Sequence, residues 1–599
     1  MEDLPTEFDL VVLGTGLPES IIAAAASRVD KAVLQLDSNA FYGRDWAGFR
    51  LQDLRDFLRS CEVPAADVDA RDVSHLLQAG ECLVTLGRPT NSISNVEEVI
   101  YIKDDVVETD IAPQPRQERY RRRSERHTSG SSTGSSTGPS PVNTPVDDEA
   151  FPLPVGRKQF TFDDVLLQSR KFSLDLAPKL FWTTDAFVNL LKTSNISRYT
   201  SFRLVHSVAT FLDGRIVEVP FSRSAISNHT DLSALDKRKV MKFMQACMER
   251  AANGDANAAD LTPARFGDYL DTLKIPILTR RSIVNAIAMC TEDTSTAKAF
   301  TRISRFLLAC GYYDKSSSPF LFSIFGCGEY PQYFARISAV FGGIQCLNRG
   351  VEVFVLDSTK SQVVAVITGA SRIACKRLVI PVEYAPVEWL GGGLTERNIS
   401  RAILITDTSI FPKRPSDVGF MRFAKDGDEL GVMLIEASYV TEICPNGYFV
   451  VYLWTTAVTT ARADLEPYVM KLFEPYRADR TGVAKVLWAS FFNHKSIRLA
   501  TRDADQSNRP TQLPANVKLV SGPSGSLDYE DVLKESEELF AMLYPGEVFL
   551  PRVPDPEEII MDGCDGSTVA ASPEEEAATA PSQPEASALI PANDEEGDE

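Results

Sequence analysis

The chain has 599 residues, 44% of them hydrophobic and 24% charged, an ordinary globular composition with room for two or more domains of sizeable core. Its net charge of −20 is uneven: fourteen Asp and Glu but no Lys or Arg follow Arg552, leaving about −6 for the rest, where a domain that wraps nucleic acid would carry a basic surplus. Ten cysteines without a CxxC or CxxH pair argue against a zinc site or a disulfide framework and for a reducing compartment, and no run approaches the ~18 apolar residues of a membrane span. The start of the chain has no basic n-region, and the last four residues, Glu-Gly-Asp-Glu, form no prenylation box, so a soluble cytosolic protein is expected.

In chain order, the apolar run Phe8-Asp9-Leu10-Val11-Val12-Leu13 predicts a buried first strand. Gly14-Thr15-Gly16-Leu17-Pro18-Glu19 is a dinucleotide-binding loop whose third glycine is a glutamate. A helix is predicted from near Leu17, and Val33-Leu34-Gln35-Leu36-Asp37 supplies a second strand ending in an acid 21 residues beyond Gly16. This is the spacing of a Rossmann βαβ unit, in which the glycines let backbone N–H groups approach a pyrophosphate and the acid reaches a ribose. Glu19 puts a bulky carboxylate where strand and helix pack closely and brings negative charge towards a doubly anionic ligand. The expectation is a retained fold and no cofactor, with Gly14, Gly16, Glu19 and Asp37 vestigial.

Residues 112–150 break the globular pattern: six arginines between Arg116 and Arg126 precede a Ser/Gly/Thr run with almost nothing apolar, which predicts a disordered insert. Arg121-Arg122-Arg123-Ser124 and Thr144-Pro145 read either as kinase sites or as solvated linker. An amphipathic helix is expected from Asp185 to Lys192, then antiparallel strands over 202–208, 210–212 and 215–219 around Asp213-Gly214. From about Asp231 to Tyr313 the periodicity is helical. Strands follow at 352–356, 362–367, 377–381, 401–406, 431–436 and 448–454, and a last helix at 529–543. The expected organisation is a Rossmann-like body over 1–111, the insert 112–150, body again over 151–230, a helical domain over 231–313, body over 314–552 and an acidic disordered tail over 553–599. The fold class is α/β, an FAD/NAD(P)-binding-type body with an additional mixed β-sheet and an all-helical second domain.

Four stretches resemble the family of Rab GDP-dissociation inhibitors and Rab escort proteins. They are Asp9 to Gly43, ending Asp37-Ser38-Asn39-Ala40-Phe41-Tyr42-Gly43; Arg170-Lys171-Phe172-Ser173-Leu174-Asp175-Leu176-Ala177-Pro178-Lys179 into the helix and hairpin that follow; Ser318-Pro319-Phe320-Leu321-Phe322 through Gly326-Cys327-Gly328-Glu329-Tyr330-Pro331-Gln332 to Phe341-Gly342-Gly343; and the late helix with Leu550-Pro551-Arg552 and the residues to Ile560. Together they cover roughly half the chain in matching order. The fourth stretch, the insert and the length are similar to the escort proteins.

The resemblance implies a body like that of flavoprotein oxidases that has given up its flavin. It implies a Rab-binding platform built from the segments carrying Tyr42, Glu329 and Arg336, with Cys346 on the same segment as Arg336. A carboxylate, a guanidinium and a phenol on one rigid face suit the polar and main-chain groups of a GTPase switch region. The helical lobe is then the lipid and transferase side, with Val284, Ile287, Phe300, Ile303, Phe306 and Leu307 at helical spacing on two consecutive helices and an exposed aromatic among Phe300 and Phe306 as the first candidate contact; Tyr312 stands where an arginine is often found. Implied partners are GDP-bound Rab GTPases before and after prenylation, the α/β heterodimer of Rab geranylgeranyltransferase, the isoprenoid of the Rab and, transiently, a membrane. No catalytic residue is expected: the five histidines are scattered, and no Gly-x-Ser-x-Gly elbow, P-loop or HExxH occurs. The alternatives are a dissociation inhibitor that does not engage the transferase and, from another class, a flavin-dependent amine oxidase relative.

Overall fold

The computed structural model describes residues 4–62, 73–87, 92–102, 161–228, 232–252, 263–313, 318–369, 371–390, 394–411, 417–425, 427–475, 484–499 and 513–552. The predicted insert 112–150 and tail 553–599 lie outside these residues. The first strand, Glu7–Leu13, runs parallel to Val33–Leu36 on one side and to Ser371–Pro381 on the other, and Ile344–Cys346 adds a further parallel strand beyond Val33–Leu36. Val363–Thr368, Val353–Leu356 and Cys82–Thr85 extend this sheet antiparallel. Parallel strands must be covered on both faces, and the apolar run Leu10–Val12 is accordingly buried.

The helix Leu17–Arg28 follows the glycine loop, with Pro18 in its first turn, where a missing N–H costs nothing. Every residue from Leu17 to Ser27 is buried, because the helix is wedged between the sheet, the helix Tyr330–Val340 and the C-terminal helix Glu530–Leu543. Four consecutive alanines, Ala23 to Ala26, let these neighbours come close, and the Ser27 and Ser338 hydroxyls meet at 2.9 Å.

The second sheet is a large mixed one. In spatial order its main strands are Glu474–Pro475, Lys485–Leu499, Leu394–Thr406, Phe449–Thr456, Asp428–Ser438, Val418–Lys425, Phe202–Leu212, Phe320–Ser323 and Phe181–Trp182. The two strands predicted over 202–212 are one, and Asp213 and Gly214, both at positive φ, turn it into Arg215–Glu218 as a tight hairpin requires. The fold is α/β, a Rossmann-like sheet joined to this mixed sheet, with helices.

The helical segments between the hairpin and Phe320 include Ala234–Ala252, Phe266–Thr272, Ile277–Ser282 and Thr296–Ala309. Ile277–Ser282 runs on into a π-helical turn, Ile283–Ile287, so Val284 and Ile287 do not sit on a regular α-helix as their spacing suggested. That turn packs on the second sheet: the Asn285 amide donates to Thr210 Oγ1 at 3.3 Å, and the buried Arg422 donates to the carbonyls of Asn285, Cys290, Glu429 and Leu430. Among the described residues no helix is long and apolar enough to cross a membrane.

Candidate functional site

The glycine loop is engaged by the chain's own side chains. Asp37, the acid that would meet a ribose, is used by the chain itself. Thr15 donates to its Oδ2 from the backbone N–H (2.8 Å) and the hydroxyl (2.6 Å), and Asn39 donates to Oδ1 from its N–H (2.8 Å) and its amide (2.9 Å). Glu19 does not intrude between strand and helix as its position suggested. Its carboxylate lies against Gly14 and Gly16, where Arg44 Nη1 donates to Oε1 at 3.4 Å. The Arg44 guanidinium is also stacked 4.8 Å from the Tyr384 ring. Burial pushes the Glu19 carboxyl up to about 8, against the pull of Arg44.

What remains of the crevice between Gly16, Glu19, Arg44, Trp46, Glu383 and Gly522 is a cavity of about 10 Å³. That is room for about one water molecule; a ligand pocket needs hundreds of Å³. These residues do not fit a flavin dinucleotide. Among the described residues no cluster of His, Cys, Asp and Glu could hold a metal ion either.

The segment that follows Asp37 carries Tyr42. Gly43 donates its N–H to the carbonyl (3.0 Å) and hydroxyl (3.1 Å) of Thr15, tying the segment after Tyr42 back to the glycine loop. Asn348 and Arg349 donate to the carbonyls of Asn39 and Asp37 at 2.9 and 2.7 Å, and Asp37 donates to the carbonyl of Cys346 at 3.0 Å. Tyr42 and Cys346 are thereby neighbours: burial, then the Cys346 thiol, raises the Tyr42 phenol above its usual range. Cys346 itself ends the edge strand Ile344–Cys346.

Glu329 and Arg336 do not both lie within the helix. Glu329 occupies the position just before Tyr330–Val340, and Arg336 follows two turns, about 10 Å, further along. Glu329 is half-buried, which raises its carboxyl, and it shares with Phe41 the wall of an open groove of about 890 Å³. Arg336 is exposed and stacks 4.3 Å over the ring of Tyr199. The structure thus places the segment of Tyr42 beside that of Cys346 through the backbone bonds of Asp37 and Asn39, and brings Phe41 to the groove of Glu329, with Arg336 on the helix that starts at the groove's rim.

The lobe candidates are different. Val284, Ile287, Phe300, Ile303, Phe306 and Leu307 are all buried. Phe300 meets Phe243 and Tyr269 edge-on, and Phe306 meets Trp182, Phe221 and Phe320. The expectation of an exposed aromatic among Phe300 and Phe306 is corrected: the apolar stripe of Thr296–Ala309 is core, turned towards Ala234–Ala252 and the second sheet. Large apolar residues that the lobe does expose include Leu235, Ile277, Leu308, Tyr312 and Tyr313.

Three residues with clear roles at the site do not stand out in the sequence. Arg44 adopts a left-handed φ of 48° and closes the cradle; its position directly after Gly43 in a turn is the available signal. Tyr199 supports Arg336 from a segment with no motif. Asp175, inside one of the family-like stretches, accepts the backbone N–H groups of Cys327 and Gly328, both at 2.8 Å, just before Glu329.

The family model for GDP dissociation inhibitor matches residues 4–103 and 157–490. The chain is 31% identical to Rab proteins geranylgeranyltransferase component A 1 of Homo sapiens, over 94% of each chain. It is also 31% identical to Rab proteins geranylgeranyltransferase component A of Drosophila melanogaster, over 95% of this chain and 94% of that one. The crystal structure of a Rab GDI from Plasmodium falciparum superposes with a TM-score of 0.60 at 15% identity, covering 91% of this chain and all of that one, a likeness of fold.

Proposed function

Because this chain belongs to the GDP dissociation inhibitor family, we propose that it acts as a Rab escort protein, the non-catalytic component that presents Rab GTPases to Rab geranylgeranyltransferase. The observation that carries this reading is the near full-length relation, over 94% of both chains, to a protein named as component A of that transferase. The filled cradle agrees with it, since Glu19 and Arg44 take up the space beside Gly14 and Gly16 that a pyrophosphate would need.

In this reading Tyr42, Glu329, Arg336 and Cys346 form the face that holds a GDP-bound Rab, newly made or already prenylated. The chemistry resides in the α/β transferase, and the escort delivers the lipidated product from the cytosol to a membrane. The isoprenoid belongs to the helical lobe. Its six apolar candidates, Val284, Ile287, Phe300, Ile303, Phe306 and Leu307, are core, so a lipid that reached them would have to part the lobe helices. Burying about ten CH₂ groups at ~0.8 kcal/mol each gives about 8 kcal/mol to offset that opening. Holding the Rab globule and its lipid at two separate places makes effective concentration contribute to retention.

The test is reconstituted prenylation: purified transferase heterodimer, geranylgeranyl diphosphate and a GDP-loaded unmodified Rab, with and without this chain. Lipid incorporation that depends on the chain is expected. Absence of incorporation, with extraction of prenylated Rab from membranes intact, would overturn the escort reading in favour of a dissociation inhibitor.

A further inference from the structure

Asp175 sits where the two arms of the platform touch. Its strand, Leu174–Asp175, pairs antiparallel with Gly48–Phe49, the end of the segment that carries Tyr42. Its carboxylate receives Cys327 and Gly328, the end of the turn that leads into Glu329. The arms meet directly: a Cβ on Gly328 would collide with the backbone of Gly48, and one on Gly326, at φ 90°, would come within 2.8 Å of Asp175 Oδ2. On the other arm, Asp175 Oδ1 lies 3.1 Å from the place of a Gly48 Cβ, so the carboxylate is confined between the two. The backbone of the residue is held as well, its N–H donating to the Tyr452 hydroxyl at 3.1 Å.

This carboxylate is buried, 1% exposed, and among the described residues it forms no ion pair. Burying a carboxylate without a cation is costly unless hydrogen bonds compensate. Here the compensation comes from two backbone N–H groups of the turn before Glu329, and burial still pushes the carboxyl up to about 7. A group of this kind contributes little to packing that a neutral side chain would not, but it fixes two amides and hence the start of the platform helix.

We propose that Asp175 is a positioning residue for Rab binding: by clamping the 326–328 turn against Gly48 it sets Glu329 relative to the Tyr42 segment. The proposal rests on the platform assignment above and adds to it a residue that touches no partner. It acts on affinity through Glu329.

The experiment is a mutant cycle on the full chain with a GDP-loaded Rab, reading Kd by fluorescence titration. Asp175→Asn keeps the shape and removes the charge-assisted acceptor, and Glu329→Gln removes the group it positions. Each single variant is expected to weaken binding by about tenfold, and the double variant by little more than one of them, because both act through one contact. Combined with Arg336→Ala, the Asp175→Asn loss should instead multiply. A merely structural role would make the losses multiply in both backgrounds and would overturn the proposal. If Glu329→Gln alone leaves Kd unchanged, it is the platform reading that falls. Should Asp175→Asn not fold, Gly326→Ala, which crowds the same clamp while keeping the carboxylate, replaces it in the cycle with the same expected coupling; an affinity equal to that of the parent chain overturns the proposal.

Discussion

The seam around the old cradle and the helical lobe carry the same kind of signal in the sequence, and they come out differently. At the seam the candidates are polar and stay at least partly exposed: Tyr42 is half-buried in the segment after Asp37, Glu329 is half-buried at the start of Tyr330–Val340, and Arg336 is exposed two turns along that helix. In the lobe, six apolar residues at helical spacing are all core. An exposed charged residue has an ordinary reason for its place, solvation, but replacing it costs the fold little, so a part in binding can be tested without unfolding the chain. An apolar stripe has an ordinary reason, packing against the next helix, and its spacing alone cannot separate that from a lipid site.

The comparison breaks most sharply on stability. Phe306→Ala should cost about 3–5 kcal/mol, the range for an aromatic removed from a packed core, read as a loss of the denaturation midpoint. Charge reversal at Arg336 should change stability by no more than ~1 kcal/mol, the loss of its stacking on Tyr199. A Phe306→Ala protein as stable as its parent would return that residue to the list of open lipid contacts.

How far each region is legible follows from where partners lie along the chain. The strand, glycine loop, helix and second strand are readable because their determinants fall within about one βαβ unit. The strands Val418–Lys425 and Lys485–Leu499 are not. Arg422, buried in the first, breaks the apolar pattern, and the carbonyls that satisfy it come from residues 285, 290, 429 and 430. Glu19 reads as an intruder because its partner Arg44 is 25 residues away, and Asp175 carries no local signal because its amides lie at 327 and 328.

The cradle offers a second test, on pH. Burial holds the Glu19 carboxyl up to about 8, whereas in the unfolded chain it titrates near 4.5. Between those values the folded protein keeps a proton that the unfolded chain has released, so stability from this group falls as pH rises from about 4.5 and levels off above about 8. Glu19→Gln lacks that fall. Its stability gain over the parent, from urea midpoints, should be small near about pH 5 and grow by a few kcal/mol towards about pH 8.5. A gap that does not change with pH would mean that Arg44 keeps Glu19 ionised throughout.

On the seam itself, Arg336→Glu should raise the Kd for a GDP-loaded Rab by at least about tenfold, ~1.4 kcal/mol, with the fold intact. An unchanged Kd would take Arg336 out of the platform.

The smallest effect separates the presence of Arg336 from its placement. The guanidinium lies 4.3 Å over the ring of Tyr199, which is itself 49% exposed and so is not held there by burial alone. A stacked pair at such a site is worth ~0.5–1 kcal/mol. Tyr199→Ala would release Arg336 to sample other rotamers, and Rab affinity should fall by about two- to fivefold through the entropy of fixing it again on binding. Tyr199→Phe keeps the ring face and should bind like the parent, because the hydroxyl has no part in the stacking. If Phe and Ala variants lose affinity equally, the hydroxyl meets the partner directly and Tyr199 belongs to the contact surface; if only Ala does, the ring is what aims the arginine.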